Sequence, residues 1–309
     1  MFAMTRTCLS SLWGRRQART TVWVIPVLLV GGVVAIAAGQ SRSTVRSEAS
    51  LTSEIRDFRS SANGEPYRLF VSLPTGYEAS SQRYSAVFVL DADLYFELAA
   101  GVCSMLGDEG ALPRVIVIGV GYSGTPDDVH RKRFRDQTPT SVAGSPGSGG
   151  GEQFLRLLTR EIVPYVDQQF RTTDHALVGH SLGGLFVLFT MFREPTVFQR
   201  YIALSPLLSW DSEFVFKQEA AARASAALAG RVFIAVGGAE DPALMVSPTE
   251  RMTTLLSRGA YPDLTVTFQV MPSVKELGVV PGGLTNGLKA VFARGGAYPY
   301  AKQDQRTRD

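Results

Sequence analysis

Residues Gly179-His180-Ser181-Leu182-Gly183 satisfy G-x-S-x-G, a spacing that sets a serine on a sharp turn between a strand and a helix. Such a turn lifts the Ser181 hydroxyl above the sheet, and its flanking glycines let strand and helix approach without Cβ clashes. The helix start then points N–H groups and a partial positive charge at a developing oxyanion. Those parts suit nucleophilic acyl transfer. A five-residue pattern alone is weak, so its context matters. Apolar Ala176-Leu177-Val178 precede it and Gly184-Leu185-Phe186 follow, as a strand and a helix would. A serine hydroxyl also needs a base, and the chain holds three histidines, His130, His175 and His180. Other chemistries lack their residues. There is no H-E-x-x-H, no cysteine cluster, and no lysine or strand–helix context around the glycines of 147–151. No cofactor or metal is implied.

The elements around the turn alternate. Short apolar or β-branched runs recur at 67–73, 86–91, 115–120, 175–178, 200–204, 232–236 and 265–270. Helical periodicity is read at 152–168, 182–192, 220–229, 249–258 and 282–293. Strands alternating with helices predict a mostly parallel, doubly wound α/β sheet covered on both faces. No internal repeat interrupts it. The loop 141–151, SVAGSPGSGGG, reads as a flexible insertion, either at the edge of a site or merely on the surface.

At 309 residues, 45% hydrophobic and 19% charged, the chain is neither disordered nor a disulfide scaffold. Its net charge of +3 is scattered, which excludes a nucleic-acid footprint. Residues 1–19 carry Arg6, Arg15, Arg16 and Arg19 and no acid; residues 20–41 carry no charge at all. That pattern predicts a signal peptide or an uncleaved anchor in the inner membrane, with the remainder extracytoplasmic, periplasmic or secreted. Arg15-Arg16 matches a twin-arginine signal only in that pair. Cys8 and Cys103 flank the apolar run, which makes them a poor disulfide pair. Residues 42–60 read as a linker or the lead into a first strand, 61–300 as a single domain, and 301–309 as a polar tail.

Beyond the turn, the chain resembles the esterase family of the α/β-hydrolase fold that holds esterase D-like enzymes and siderophore esterases of the enterobactin type. The marks are Leu73-Pro74-Thr75-Gly76-Tyr77, Phe88-Val89-Leu90-Asp91-Ala92-Asp93, Arg131-Lys132-Arg133 and Asp136-Gln137-Thr138-Pro139. Glu161-Ile162-Val163-Pro164-Tyr165-Val166, Leu204-Ser205-Pro206 and Trp210-Asp211 complete the set. The resemblance implies Ser181 as nucleophile toward a small-molecule ester. Backbone N–H groups of Leu182 and Asp93 would form the oxyanion hole. The family usually reads Asp-Gly where this chain has Asp91-Ala92, and alanine strains that turn only if its φ is positive. Arg131 and Arg133 lie where the family can place basic residues near substrate, or else they are surface arginines. The acid follows a later strand, with Glu240 the better match and Asp241 the second choice.

The triad order Ser, acid, His then demands a histidine after Glu240, and none exists there. The family's histidine precedes a Val-x-Pro stretch and a last helix. Matched on Pro272 and Val279-Val280-Pro281, its position holds Glu276, or Lys275 or Leu277 with one residue of slippage. An exposed glutamate, with a pKa of about 4.3, is a poor base. His180 should turn away from Ser181, and His175 should lie a strand length below. His130, in the loop after 115–120, is a weak candidate to reach the cleft from above. Two functions follow: an exported ester hydrolase with a degenerate or displaced base, or a non-catalytic ligand-binding protein on the same scaffold.

Overall fold

Near-continuous apolar runs build the centre of the molecule. In the computed structural model, which describes residues 53–225, 228–258 and 261–293, they form one eight-stranded sheet. The strands are β1 (Ser53–Arg59), β2 (Pro66–Ser72), β3 (Tyr84–Leu90), β4 (Val115–Tyr122), β5 (Thr172–His180), β6 (Arg200–Leu204), β7 (Gly230–Gly237) and β8 (Leu264–Met271). Their spatial order is β1-β2-β4-β3-β5-β6-β7-β8. β1 and β2 run antiparallel at one edge, and every pairing from β4 to β8 is parallel.

Period-two alternation divides each strand between two cores. Val87, Val89, Val117 and Val178 meet α1 (Ala92–Asp108) and α8 (Val279–Phe292) on one face. Phe88, Ile118 and Leu177 meet helices on the other. Those helices are α3 (Gly151–Leu157), α4 (Val163–Gln169), α5 (Leu182–Arg193), α6 (Trp210–Ser225) and α7 (Ser247–Ser257). A π-helical turn, Leu158–Ile162, joins α3 to α4 and lets Pro164, which lacks an N–H, enter at the first turn of α4. Among the described residues no helix is long and apolar enough to cross a membrane.

Four expectations need correction. β1 lies inside the stretch read as a linker, held by its full register with β2. α1 is not among the expected helices, although Ala92, Phe96, Ala99, Cys103 and Leu106 recur at helical spacing and are buried. Nor is α2 (Pro126–Asp136), whose PDDVHRKRFRD sequence is too polar to show an apolar period. It is started by a capping box between Thr125 and Asp128 with Pro126 in its first turn. The helix expected at 220–229 begins earlier, after the kink at Asp211–Glu213, whose three residues take positive φ. The apolar stretch 20–41, residues 42–52 and the tail 301–309 lie outside the described residues.

Candidate active site

The elbow is built by close backbone packing. A Cβ on Gly179 would collide with the backbone of Gly183, and one on Gly184 would come within 2.9 Å of the Leu204 carbonyl. Strand β5 therefore turns directly into α5, whose residues from Leu182 to Phe192 are all buried. Ser181 takes φ 59 and ψ −116, a strained conformation for a residue with a side chain. Its N–H donates to the Leu204 carbonyl at 2.9 Å, and its carbonyl accepts from Leu185 and Leu207 at 3.0 and 3.2 Å. The backbone is pinned on both sides. The Ser181 hydroxyl is hydrogen-bonded to no described residue.

Facing the elbow, Asp91 follows β3 and caps α1 at φ 53. The positive φ falls on Asp91, while Ala92 is the first residue of α1 and not among the positive-φ positions. Alanine in place of the expected glycine strains nothing. Buried Asp91 accepts from Gln137 Nε2 at 2.5 Å and pairs with Arg133 Nε at 2.9 Å. Burial pushes the Asp91 carboxyl above its usual range, and Arg133 opposes that rise. Arg133 Nη2 also donates to the His180 carbonyl at 3.3 Å, tying α2 to the elbow. Asp93 lies in the first turn of α1, where helix N–H groups lack intrahelical partners. Its carboxylate accepts from the Tyr122 N–H at 2.8 Å.

The His180 ring is fully engaged. Nε2 lies 3.2 Å from the Glu276 carbonyl, which can only accept, so Nε2 carries the proton. Nδ1 then accepts from the Tyr95 hydroxyl at 3.0 Å. Burial lowers the pKa of this imidazole and holds it neutral. With both nitrogens used, His180 has no lone pair to offer Ser181. The same contact brings the loop after β8 to the elbow, since Glu276 opens a short 3-10 turn, Glu276–Gly278, before α8.

Glu240 closes the constellation. Its carboxylate is buried, and Oε1 accepts from Ser205 Oγ at 2.7 Å and the Gly237 N–H at 2.5 Å. Oε2, equally buried, has no hydrogen-bond partner. Ala239 N–H donates to the Val274 carbonyl at 3.0 Å and Gly238 N–H to the Met271 carbonyl at 2.8 Å, so this turn is laced to the loop carrying Glu276.

Several expected residues lie elsewhere. Asp241 is exposed, and its Oδ1 caps a π-helical turn through the N–H groups of Ala243 and Leu244, each at 2.8 Å. Arg131 is a surface residue paired with Asp128. His130 sits on helix α2 rather than in a loop, exposed. His175, on β5, pairs with Asp167 at 2.9 Å and the Val197 carbonyl at 3.2 Å. Sequence reasoning assigned no role to Tyr95, Asp91, Gln137 or Ser205. The last three lie in the motifs that carry the family resemblance, the one signal in the sequence for them; Tyr95 has none. Among the described residues no cluster of potential metal ligands forms.

The family model described as Putative esterase matches residues 60–261, a range that ends before the loop carrying Glu276. Ferri-bacillibactin esterase BesA of Bacillus subtilis (strain 168) is 31% identical over 181 residues, 53% of this chain and 62% of that protein. The siderophore triacetylfusarinine C esterase of Aspergillus fumigatus is 31% identical over 163 residues, 48% of this chain and 54% of that protein. The chain thus spans less than two thirds of the length of the curated relatives it matches. Among solved structures, the BES protein from Bacillus cereus aligns with a TM-score of 0.71 at 26% identity, covering 80% of this chain and 98% of that one. An IroE-like serine hydrolase from Shewanella oneidensis aligns at 0.70 and 24% identity, covering 78% and 80%, and supports the fold alone.

Proposed function

Since the chain belongs to this esterase family, we propose that it hydrolyses carboxylic esters through an acyl-enzyme on Ser181. The observation that carries this reading is the Ser181 conformation, φ 59 on a glycine-packed turn with Leu182 opening α5. Ser181 Oγ attacks the ester carbonyl carbon. The N–H groups of Leu182 and Asp93, at the starts of α5 and α1, receive the negative charge of the tetrahedral intermediate. Collapse expels the alcohol, and water then releases the acid. Siderophore esters are the substrate class named for the relatives, and we extend it to this chain as a proposal. We also propose that residues 20–41 export the domain.

The function is impaired at neutral pH, because no imidazole stands beside the nucleophile. Loss of one triad member leaves roughly 10³-fold catalysis from the oxyanion hole and binding. That glutamate stands where the family places histidine favours a second reading, a ligand-binding relative without turnover. A fluorophosphonate probe separates the two. Labelling of the folded protein that disappears in Ser181→Ala supports the hydrolase. Folded protein that stays unlabelled across the pH range supports the binding protein.

A further inference from the structure

We infer that Arg133 is a positioning residue for the proposed hydrolysis, its guanidinium clamping the start of α1 to the nucleophile elbow and so fixing the spacing of the two oxyanion-hole donors. The inference rests on the hydrolase reading above and names what holds that reading's charge-stabilising groups in place.

The two donors come from separate stretches of the chain. The N–H groups of Asp93 and Leu182 stand in the first turns of α1 and α5, where helix N–H groups have no intrahelical acceptor. Among the described residues they donate to nothing, which leaves both for a substrate oxygen. An oxyanion hole works only if its donors are set beforehand, about 2.7–3.1 Å from where the oxygen will stand. Misplacement by about 1 Å can cost about 10²-fold in rate. The spacing of the two turns is therefore the quantity to hold.

Arg133, on α2, belongs to neither turn and touches both. Its Nε lies 2.9 Å from Asp91 Oδ2, two residues before Asp93. Its Nη2 donates to the His180 carbonyl at 3.3 Å, two residues before Leu182. The contact with Asp91 is ionic, because the N–H is not aligned on that oxygen for a hydrogen bond. The Asp91 carbonyl accepts from the Leu94 and Tyr95 N–H groups at 2.9 and 3.1 Å, so Asp91 cannot move without the first turn of α1. Gln137, one turn along α2, donates to the other Asp91 oxygen at 2.5 Å. A Cβ placed on Gly183 would lie 3.4 Å from both Asp91 Oδ2 and Gln137 Oε1, which sets the clamp against the first turn of α5.

Arginine suits this task because its planar fork presents N–H groups on separate nitrogens in fixed geometry, whereas an ammonium is a point charge. The Asp91 side chain is 2% exposed and that of Arg133 19%, so solvent and salt screen their attraction weakly. A second tie joins the same two parts, since the Tyr95 hydroxyl of α1 donates to His180 Nδ1. Loss of the fork should loosen the hole without dissolving it. Its effect should therefore stay below the roughly 10²–10³-fold loss from deleting an oxyanion donor.

The test measures kcat and KM with a short, uncharged p-nitrophenyl ester, each variant first checked by its melting curve. Arg133→Lys keeps a positive charge beside Asp91 but cannot reach both acceptors. It should lower kcat by about 10-fold to 10²-fold and leave KM within about twofold. Asp91→Asn combined with Arg133→Met removes both charges and leaves no buried charge unpaired. It should melt close to wild type and stay as slow as Arg133→Lys. Wild-type kcat in either folded variant overturns the clamp, since neutralising Asp91 would then be all that Arg133 does. A raised KM with unchanged kcat overturns it too, because Arg133 would then act on the substrate. Amide hydrogen exchange of segments 91–95 and 180–185 needs no turnover. In Arg133→Lys both segments should exchange faster together, by about tenfold or more. A change in one segment alone, or in neither, overturns the clamp. Wild type that neither turns over nor takes a fluorophosphonate label overturns the hydrolase reading, and the paired exchange then decides the clamp by itself.

Discussion

The His180 imidazole is buried in a slot with one acceptor, the Glu276 carbonyl, and one donor, the Tyr95 hydroxyl. Protonation would place a second N–H against a hydroxyl already donating, in a buried site. Its folded pKa is therefore lowered, with burial the largest cause. In the unfolded chain the ring titrates near its ordinary value of about 6.5. Between the two values the unfolded state binds more protons, so stability rises with pH there. The contribution of His180 is fully present above about pH 6.5 and is lost as pH falls through the lowered folded value. Thermal melts from about pH 8 to about pH 5 should show wild type losing melting temperature more steeply than His180→Gln. Glutamine keeps one donor and one acceptor without titrating. Equal slopes would mean that the ring is not held neutral by its surroundings.

At the scale of elements, the position of Ser181 depends on how closely β5 and α5 approach. Gly179 sits where any Cβ meets the Gly183 backbone, which cannot rotate away as a side chain would. Gly179→Ala should destabilise by about 1–3 kcal/mol, the usual cost of forcing extra atoms into a packed site. For a domain of this size that lowers the melting temperature by roughly 2–4 °C per kcal/mol. Labelling of Ser181 should fall with it. Gly101, inside α1, is the control, because an added Cβ there meets nothing within 4 Å. Gly101→Ala should be neutral or stabilise by up to about 1 kcal/mol through helix propensity alone. If both substitutions behave alike, contact between the β5 and α5 backbones does not limit the elbow.

On the scale of the whole molecule, one sheet gathers the elbow and the residues around it at the carboxyl ends of its parallel strands. Asp91 follows β3, Ser181 follows β5, Ser205 follows β6, Glu240 lies beyond β7 and Glu276 beyond β8. Adjacent strands thus deliver residues from five separate stretches to one edge of the sheet, as expected for an open α/β sheet. Where the domain works is proposed from the uncharged residues 20–41. A phosphatase reporter joined after Glu48 should be active outside the cytoplasm. Activity confined to the cytoplasm would sink the export proposal.

Patterns that are local in the chain were legible without coordinates. Seven strands and the elbow announce themselves because apolar runs and the G-x-S-x-G spacing need only neighbouring residues. Glutamate at position 276, with no histidine after Glu240, is likewise a fact of the sequence alone. Polarity concealed α2, whose start is set by the Thr125 cap rather than by an apolar stripe. The resemblance ranks Glu240 above Asp241, but the physical difference between them belongs to the fold: both follow β7, and Glu240 is buried against Ser205 while Asp241 is exposed in a cap. Arg133 and Arg131, two residues apart, part company for a similar reason: one meets Asp91 and the other faces water. The partners of His180 are even further removed, Tyr95 lying 85 residues away and Glu276 96 residues away. Protonation state, burial and ion pairing belong to groups that the chain separates and the sheet brings together, so only the tertiary structure decides them.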